Sequence, residues 1–373
     1  MEGVSKLFKK QITITCCSIL LGLAVAALIL AGTGYDPLEV FGVLFKGMFS
    51  KPKYIVNIII KSTPIILTGL SVVFAFKVGM FNIAAEGEFI IGTIAAVVVG
   101  ILFDFPPYVQ YPLVVLSGAA AGGIYGAIIG FLKAKFGIHE VITGIMFNWI
   151  AFYAANFVVN MNRFHQSNSP STNSINDSGT DFIYNWKMSE SGREVLKSNP
   201  FLMEAVGKTD INIGFIIAIL VAFLVWIVLK KTTKGFELRA VGFNKDASEF
   251  SGINVKKNIV HALLISGAIA GLAGSLTIVG VSHKLFTMSA MENYGFNGLS
   301  VAMLAGSSPI GTIFAGLLFA GLFYGGGTIQ STVGAPSEII DIMVGTIVFF
   351  VAIANIFPMF IDKISKRGGK HVK

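Results

Sequence analysis

Apolar runs about as long as a bilayer is thick, each followed by a short polar segment, recur along almost the whole chain, and no other feature constrains its fold as strongly. As helices rising about 1.5 Å per residue, such runs cross a hydrocarbon core. They extend over Ile12 to Ala31, Ile55 to Phe76, Phe89 to Phe103, Tyr111 to Leu132, Val141 to Asn160, Ile211 to Leu229, Asn258 to Val279, Ile310 to Thr328 and Ile339 to Phe357. Gly295 to Leu304 is shorter and fits a tilted or broken helix. The pattern predicts an all-α integral membrane protein with about ten transmembrane helices.

Composition excludes the alternative of several soluble domains. With 54% hydrophobic and 13% charged residues, the 373-residue chain has too little polar surface to coat a water-soluble globule. A formal net charge of +8 would point to nucleic acid in a soluble protein. Here the basic residues gather between apolar runs, where they act as topology signals facing anionic lipid, so no nucleic-acid partner is expected. Lys6, Lys9 and Lys10 place the N-terminus in the cytoplasm, and Lys363, Lys366, Arg367, Lys370 and Lys373 do the same for the C-terminus. The first run is too long for a signal-peptide core and lacks a clear A-x-A site, so a retained anchor is expected. Cys16 and Cys17 are adjacent inside that run and read as small buried residues, and no metal-ligand spacing occurs.

Several local features refine this outline. Tyr35 to Ser50 has apolar residues at near-helical spacing, as in an interfacial helix on the outer surface, which leaves Lys46, Lys51 and Lys53 outside against the charge rule. Pro64 can kink the second span, and Lys61 in the same span is read as reaching outward. Gly118, Gly122, Gly126 and Gly130 strip one face of the fourth span, and Gly267 and Gly271 one face of the seventh, so that other backbones can press close. Asn162 to Asp210 is polar and too long for a turn, and falls outside the membrane.

Lys230 to Lys257 is the longest polar segment that is also dense in Lys and Arg, and it belongs on the cytoplasmic face. Asn244 suits an N-cap, Asp246 and Glu249 a first turn and Gly252 a stop, which predicts a helix of about two turns. That helix carries Phe250 and Ile253 into the cytoplasm, either onto lipid headgroups or into a groove on a partner protein. Asp246-Ala247-Ser248, three residues, then Gly252 keeps the spacing of the Glu-Ala-Ala-xxx-Gly loop by which ABC importer permeases engage their ATPase. Asp here replaces Glu, and Ser the second Ala. The preceding Arg239-Ala240-Val241-Gly242-x-Asn244, the block Phe81-Asn82-Ile83-Ala84-x-Glu86-Gly87, Tyr294-Gly295-Phe296-Asn297-Gly298 and Pro309-Ile310-Gly311 resemble the nucleoside, simple-sugar and branched-chain amino-acid permeases, the nucleoside branch above all.

The resemblance implies a single permease domain over residues 1–373 in a bacterial cell membrane, with an extracytoplasmic loop at 162–210 and a cytoplasmic coupling loop at 230–257. It implies ATPase coupling through Arg239, Asn244, Asp246, Ala247, Glu249, Phe250 and Gly252. It also implies a second, non-identical permease subunit, a cytoplasmic ATPase that holds ATP and Mg, and an extracytoplasmic substrate-binding lipoprotein. Spans two to five and seven to ten would form two oppositely oriented sets, with substrate near the midplane between them.

Polar groups at membrane depth are the natural functional candidates. Asn82, Glu86 and Glu88 come first, either lining the pathway or bracing a broken helix through backbone hydrogen bonds. Asn57, Asn148, Trp149, Asn156 and Asn297 follow, because a nucleoside offers a flat base to stack and hydroxyls to bond. No catalysis is expected: the chain lacks the G-x-x-x-x-G-K-[ST] loop that cradles ATP, and Gly207-Lys208-Thr209 is only its tail. Two other readings stay open, an ion-coupled secondary transporter using Glu86, Glu88 or Lys61, and a channel or scaffold. Ribose-type sugars compete with nucleosides as the cargo.

Overall fold

Prolines open several of the long helices, at positions where a missing amide and a fixed φ cost nothing. The computed structural model describes residues 20–353. In order they form α1 (Leu20–Gly32), α2 (Pro37–Phe49), α3 (Pro52–Lys77), α4 (Ala85–Leu102), α5 (Pro107–Phe136), α6 (Glu140–Val159), α7 (Phe182–Met188), α8 (Glu190–Ser198) and α9 (Pro200–Leu202). They continue as α10 (Gly214–Lys231), α11 (Thr233–Phe243), α12 (Lys245–Phe250), α13 (Val255–Thr277), α14 (Tyr294–Leu304), α15 (Pro309–Val333) and α16 (Ser337–Ala352). The described residues are helical, with only isolated bridges such as His165 with Thr172 and no named strand. The expected N-terminal lysines, Cys16, Cys17, the start of the first run, the end of the last and the C-terminal basic cluster lie outside the described residues.

Seven helices among the described residues are long and apolar enough to cross a membrane: α3, α4, α5, α6, α10, α13 with its extension to Ser282, and α15. This multi-pass count is lower than the expected ten for two reasons. The first and last runs are described only in part, as the shorter apolar helices Leu20–Gly32 and Asp341–Phe350, and the Gly295 run forms the 11-residue α14. Two further differences lie in the polar segments. Residues 230–257 hold two helices, α11 and α12, where the sequence suggested one, and the 162–210 segment contains short helices of its own.

The chain divides into two compact units, Lys51–Gly321 and Met1–Ser50 with Leu322–Lys373. In the smaller unit Gly325 of α15 leaves room for Leu44 and Met48 of α2, and Asp36 caps α2 by accepting from Leu38 N at 2.9 Å. In the larger unit α3 is the most buried span, and α5 and α13 form its most extensive helix pair. The reason is the glycine face. A Cβ at Gly122 would lie 2.7 Å from Gly271 Cα, and Gly118, Gly126, Gly267 and Gly92 of α4 meet backbone in the same seam. With no side chains between them, three backbones reach van der Waals contact, which packing in lipid rewards because no hydrophobic force drives helices together there.

Candidate functional site

The basic polar segment folds as a helical pair at one end of the larger unit. Thr232 caps α11 by accepting from Gly235 N at 3.0 Å, and Asn244 Oδ1 caps α12 by accepting from Ala247 N at 3.0 Å. Gly252 stops the second helix with φ +82°, a value that favours glycine. Asp246, Ala247 and Glu249 are exposed, while the half-buried Arg239 donates from Nε to Gly235 O at 3.4 Å. Phe250 is 96% and Phe243 88% exposed, and Phe236 stands out on the same pair. Ile253 does not join them: it turns inward and packs against the main core, correcting the expectation that both apolar side chains point outward. A backbone-to-backbone contact seats the pair, since a Cβ at Gly242 would fall 2.6 Å from Lys77 O at the end of α3.

Deeper in the bundle, Asn82 sits at the centre of a buried polar knot. Its Nδ2 lies 2.7 Å from Ser266 Oγ, 2.8 Å from Glu88 Oε2 and 3.1 Å from Ser71 Oγ. An amide has two hydrogens, so these three acceptors compete for them. Ser266 Oγ also donates to Ser71 O at 2.8 Å, which ties α3, α4 and α13 together through the loop that follows α3. The second oxygen of Glu88 has no hydrogen-bond partner among the described residues and lies against the glycine seam, where a Cβ at Gly126 would approach it to 2.8 Å.

The remaining candidates separate into three groups. Glu86 accepts from Asn293 N at 2.8 Å and Gly295 N at 2.6 Å, at the start of α14. Asn148 accepts from Gly87 N at 2.7 Å and donates to Ile83 O at 3.0 Å, closing the start of α4. Asn156 makes a two-way pair with the Met288 backbone, at 2.8 and 3.0 Å. These three side chains therefore hold backbone groups of broken or starting helices. Trp149, one residue from Asn148, is exposed instead and stacks on Tyr153 with ring centroids 6.1 Å apart. Asn57 on α3 and Asn297 on α14 are half-buried. Ser71 and Ser266 escaped the sequence reading, since a lone serine in an apolar span carries no pattern that marks it. Phe243 could have been found from its place beside the Asn244 cap.

The 162–210 segment is bound to the turn after α13 rather than hanging loose. Thr172 N donates to Leu285 O and Ile175 N to His283 O, both at 2.8 Å. Asp181 accepts from Ile183 N at 2.8 Å and Ile213 N at 3.1 Å. Burial pushes the Asp181 carboxyl above its ordinary range despite these amides. His283 has φ +55°, rests on Tyr184 with ring centroids 4.4 Å apart, and is held below the ordinary imidazole range by burial. No group of three or more His, Cys, Asp or Glu suited to a metal ion occurs among the described residues.

Comparison with known proteins extends over this whole arrangement. The chain is 39% identical to the guanosine ABC transporter permease protein NupP of Bacillus subtilis, over 94% of this chain and 96% of that one. It is 33% identical to the nucleoside ABC transporter permease protein NupB of Lactococcus lactis, over 95% and 94%. A second guanosine ABC transporter permease protein of B. subtilis, NupQ, is 29% identical over 75% of this chain and 84% of its own length. No solved structure matches significantly. Residues 54–352, which hold the polar knot, the glycine seam and the exposed helical pair, match the model of one family, and the chain belongs to it: the branched-chain amino acid transport system / permease component family.

Proposed function

We propose that this chain is the transmembrane permease subunit of an ATP-driven nucleoside importer, forming the translocation pathway and coupling to a separate ATPase. It is a transport component and not an enzyme. The observation that carries the reading is the near full-length likeness to permeases named for guanosine and nucleosides. The occurrence of NupP and NupQ in one organism supports a second, non-identical permease subunit beside this one.

In this reading α11 and α12 face the bacterial cytoplasm together with both termini, following the Lys and Arg distribution. Phe250, with Arg239, Asn244, Asp246, Ala247, Glu249 and Gly252 around it, enters a groove on the ATPase, which holds ATP and Mg. The 162–210 segment receives the substrate-binding lipoprotein outside. Spans on either side of the coupling pair work as two opposed sets. ATP shifts the gate because it binds the closed ATPase pair better than the open one. Among the pathway candidates, Asn82, Glu86, Glu88, Asn148 and Asn156 shape the gate by holding broken helices in place, with Asn57 and Asn297 close to it. Trp149, with Tyr153, offers the open aromatic surface that a flat base needs.

The test is uptake of labelled guanosine and labelled ribose by cells carrying the permease pair, ATPase and lipoprotein. Guanosine should accumulate, and Phe250→Asp should abolish accumulation with the protein still in the membrane. Ribose uptake alone would move the chain to the sugar branch. Accumulation by the isolated chain under a sodium or proton gradient would replace the ATP-driven reading by an ion-coupled one.

A further inference from the structure

A cavity of about 360 Å³ opens where α3 and α10 end beside α11. Phe76 and Lys77 line it from α3, Trp226 and Lys230 from α10, Arg239 and Phe243 from α11. Three of these side chains are cationic, and no carboxylate lines the space. The acid on α11 is committed elsewhere, since Glu237 accepts from Lys234 at 2.8 Å and from Asn258 at 3.2 Å. The cationic end sits on carbon: the Lys230 amine stands 5.9 Å over the Trp226 ring. A tryptophan and lysines in the last turns of two spans mark the level of the lipid headgroups.

One more feature separates a lipid from a free anion. Ile216, Leu220, Phe223 and Ile227 are exposed and follow one another at three- and four-residue steps along α10, and the next step is Lys230. Residues at that spacing share one helix face. The stripe runs from the cationic cavity along the apolar length of the span, where an acyl chain would lie and a soluble phosphate would find no use for it. We propose that this cavity binds the headgroup of an anionic phospholipid, its phosphodiester between Lys77, Lys230 and Arg239 and its acyl chain along the exposed stripe of α10. Basic pockets at helix ends on the inner membrane face take such headgroups. The bound lipid would join α3 and α10 to the helical pair through Arg239. The assignment does not depend on which solute is carried.

The full chain, purified in detergent, is mixed with phosphatidylglycerol or phosphatidylcholine, and bound lipid is counted by intact-protein mass spectrometry. Phosphatidylglycerol should be retained in preference. Lys77→Gln with Lys230→Gln and Arg239→Gln should lower its retention about ten- to a hundredfold. Arg239→Lys alone and Lys53→Gln, at the other end of α3, should retain it. Should the triple variant fail to fold, Lys230→Gln alone must still show a measurable fall. The proposal is overturned by equal retention of the two lipids, by an equal fall in Lys53→Gln, or by displacement with millimolar inorganic phosphate, which would indicate a site for soluble anions. It is also overturned if the triple variant keeps its lipid.

Discussion

The carboxylate of Glu86 on α4 receives the backbone amide of Gly295 at 2.6 Å and so caps α14, a helix whose own N-cap residue, Asn293, makes no side-chain capping bond. Helix starts leave amides unpaired, and in an apolar interior an unpaired amide costs about 1–3 kcal/mol. Glu86→Ala should therefore lower the thermal midpoint of the purified protein, and Glu86→Gln, which keeps one acceptor, should lower it less. Equal midpoints for both variants and the native chain would remove the capping role.

The glycine seam makes a sharper structural prediction. Gly122→Val puts side-chain carbon where Gly271 Cα leaves less than a van der Waals contact, and should destabilise by about 1–3 kcal/mol or more. Gly327→Ala, with nothing within 4 Å of the added carbon, should leave the thermal midpoint unchanged or raise it slightly. A similar response from the two variants would mean that the seam carries no packing energy.

Gly242 seats the helical pair on α3, and an added carbon there would also lie 3.0 Å from Gly79 N. Gly242→Val should lift α11 away from Lys77, raise protease cleavage between α10 and α13, and reduce nucleoside uptake at least about tenfold with membrane levels kept. If uptake and cleavage both match the native chain, the pair is not held by this contact.

His283 predicts a pH effect on the outer segment. Burial holds its folded value below the ordinary imidazole value of about 6.5, so the unfolded state binds more protons between the two values. Its neutral-form stability is fully present above about pH 6.5 and is lost as pH falls toward the folded value. Asp181 works in the opposite direction at lower pH, because its raised carboxyl takes up a proton more readily when folded. The protection of the Ile175 amide, which donates to His283 O, relative to its intrinsic exchange rate at each pH should fall on mild acidification, and His283→Asn should flatten that response. An identical pH profile in the variant would exclude His283 as its source.

Local chemistry was readable in the chain, and long-range chemistry was not. α12 could be placed because its cap and stop, Asn244 and Gly252, lie within a few residues of it. The roles of Glu86, Asn148 and Asn156 depend on backbone groups far away along the chain, which no spacing rule reaches. Asn148 and Trp149 are neighbours in sequence but not in direction, since adjacent helical residues point about 100° apart and only Asn148 faces the bundle. The α11 helix was not read: the sequence marked one helix in the basic segment, after Asn244, and the Thr232 cap of α11 emerges only in the structure. The glycine faces were visible as a period of four, and what the sequence lacked was which face met which.

That meeting limits how the protein can move. Where Gly92, Gly122 and Gly271 bring three backbones into contact, there are no side chains to change rotamer and absorb a shift. Sliding one of α4, α5 or α13 past its neighbours would drive carbonyls into α-carbons, so the three travel as a single slab. Opening and closing must then be hinged at the slab's margins.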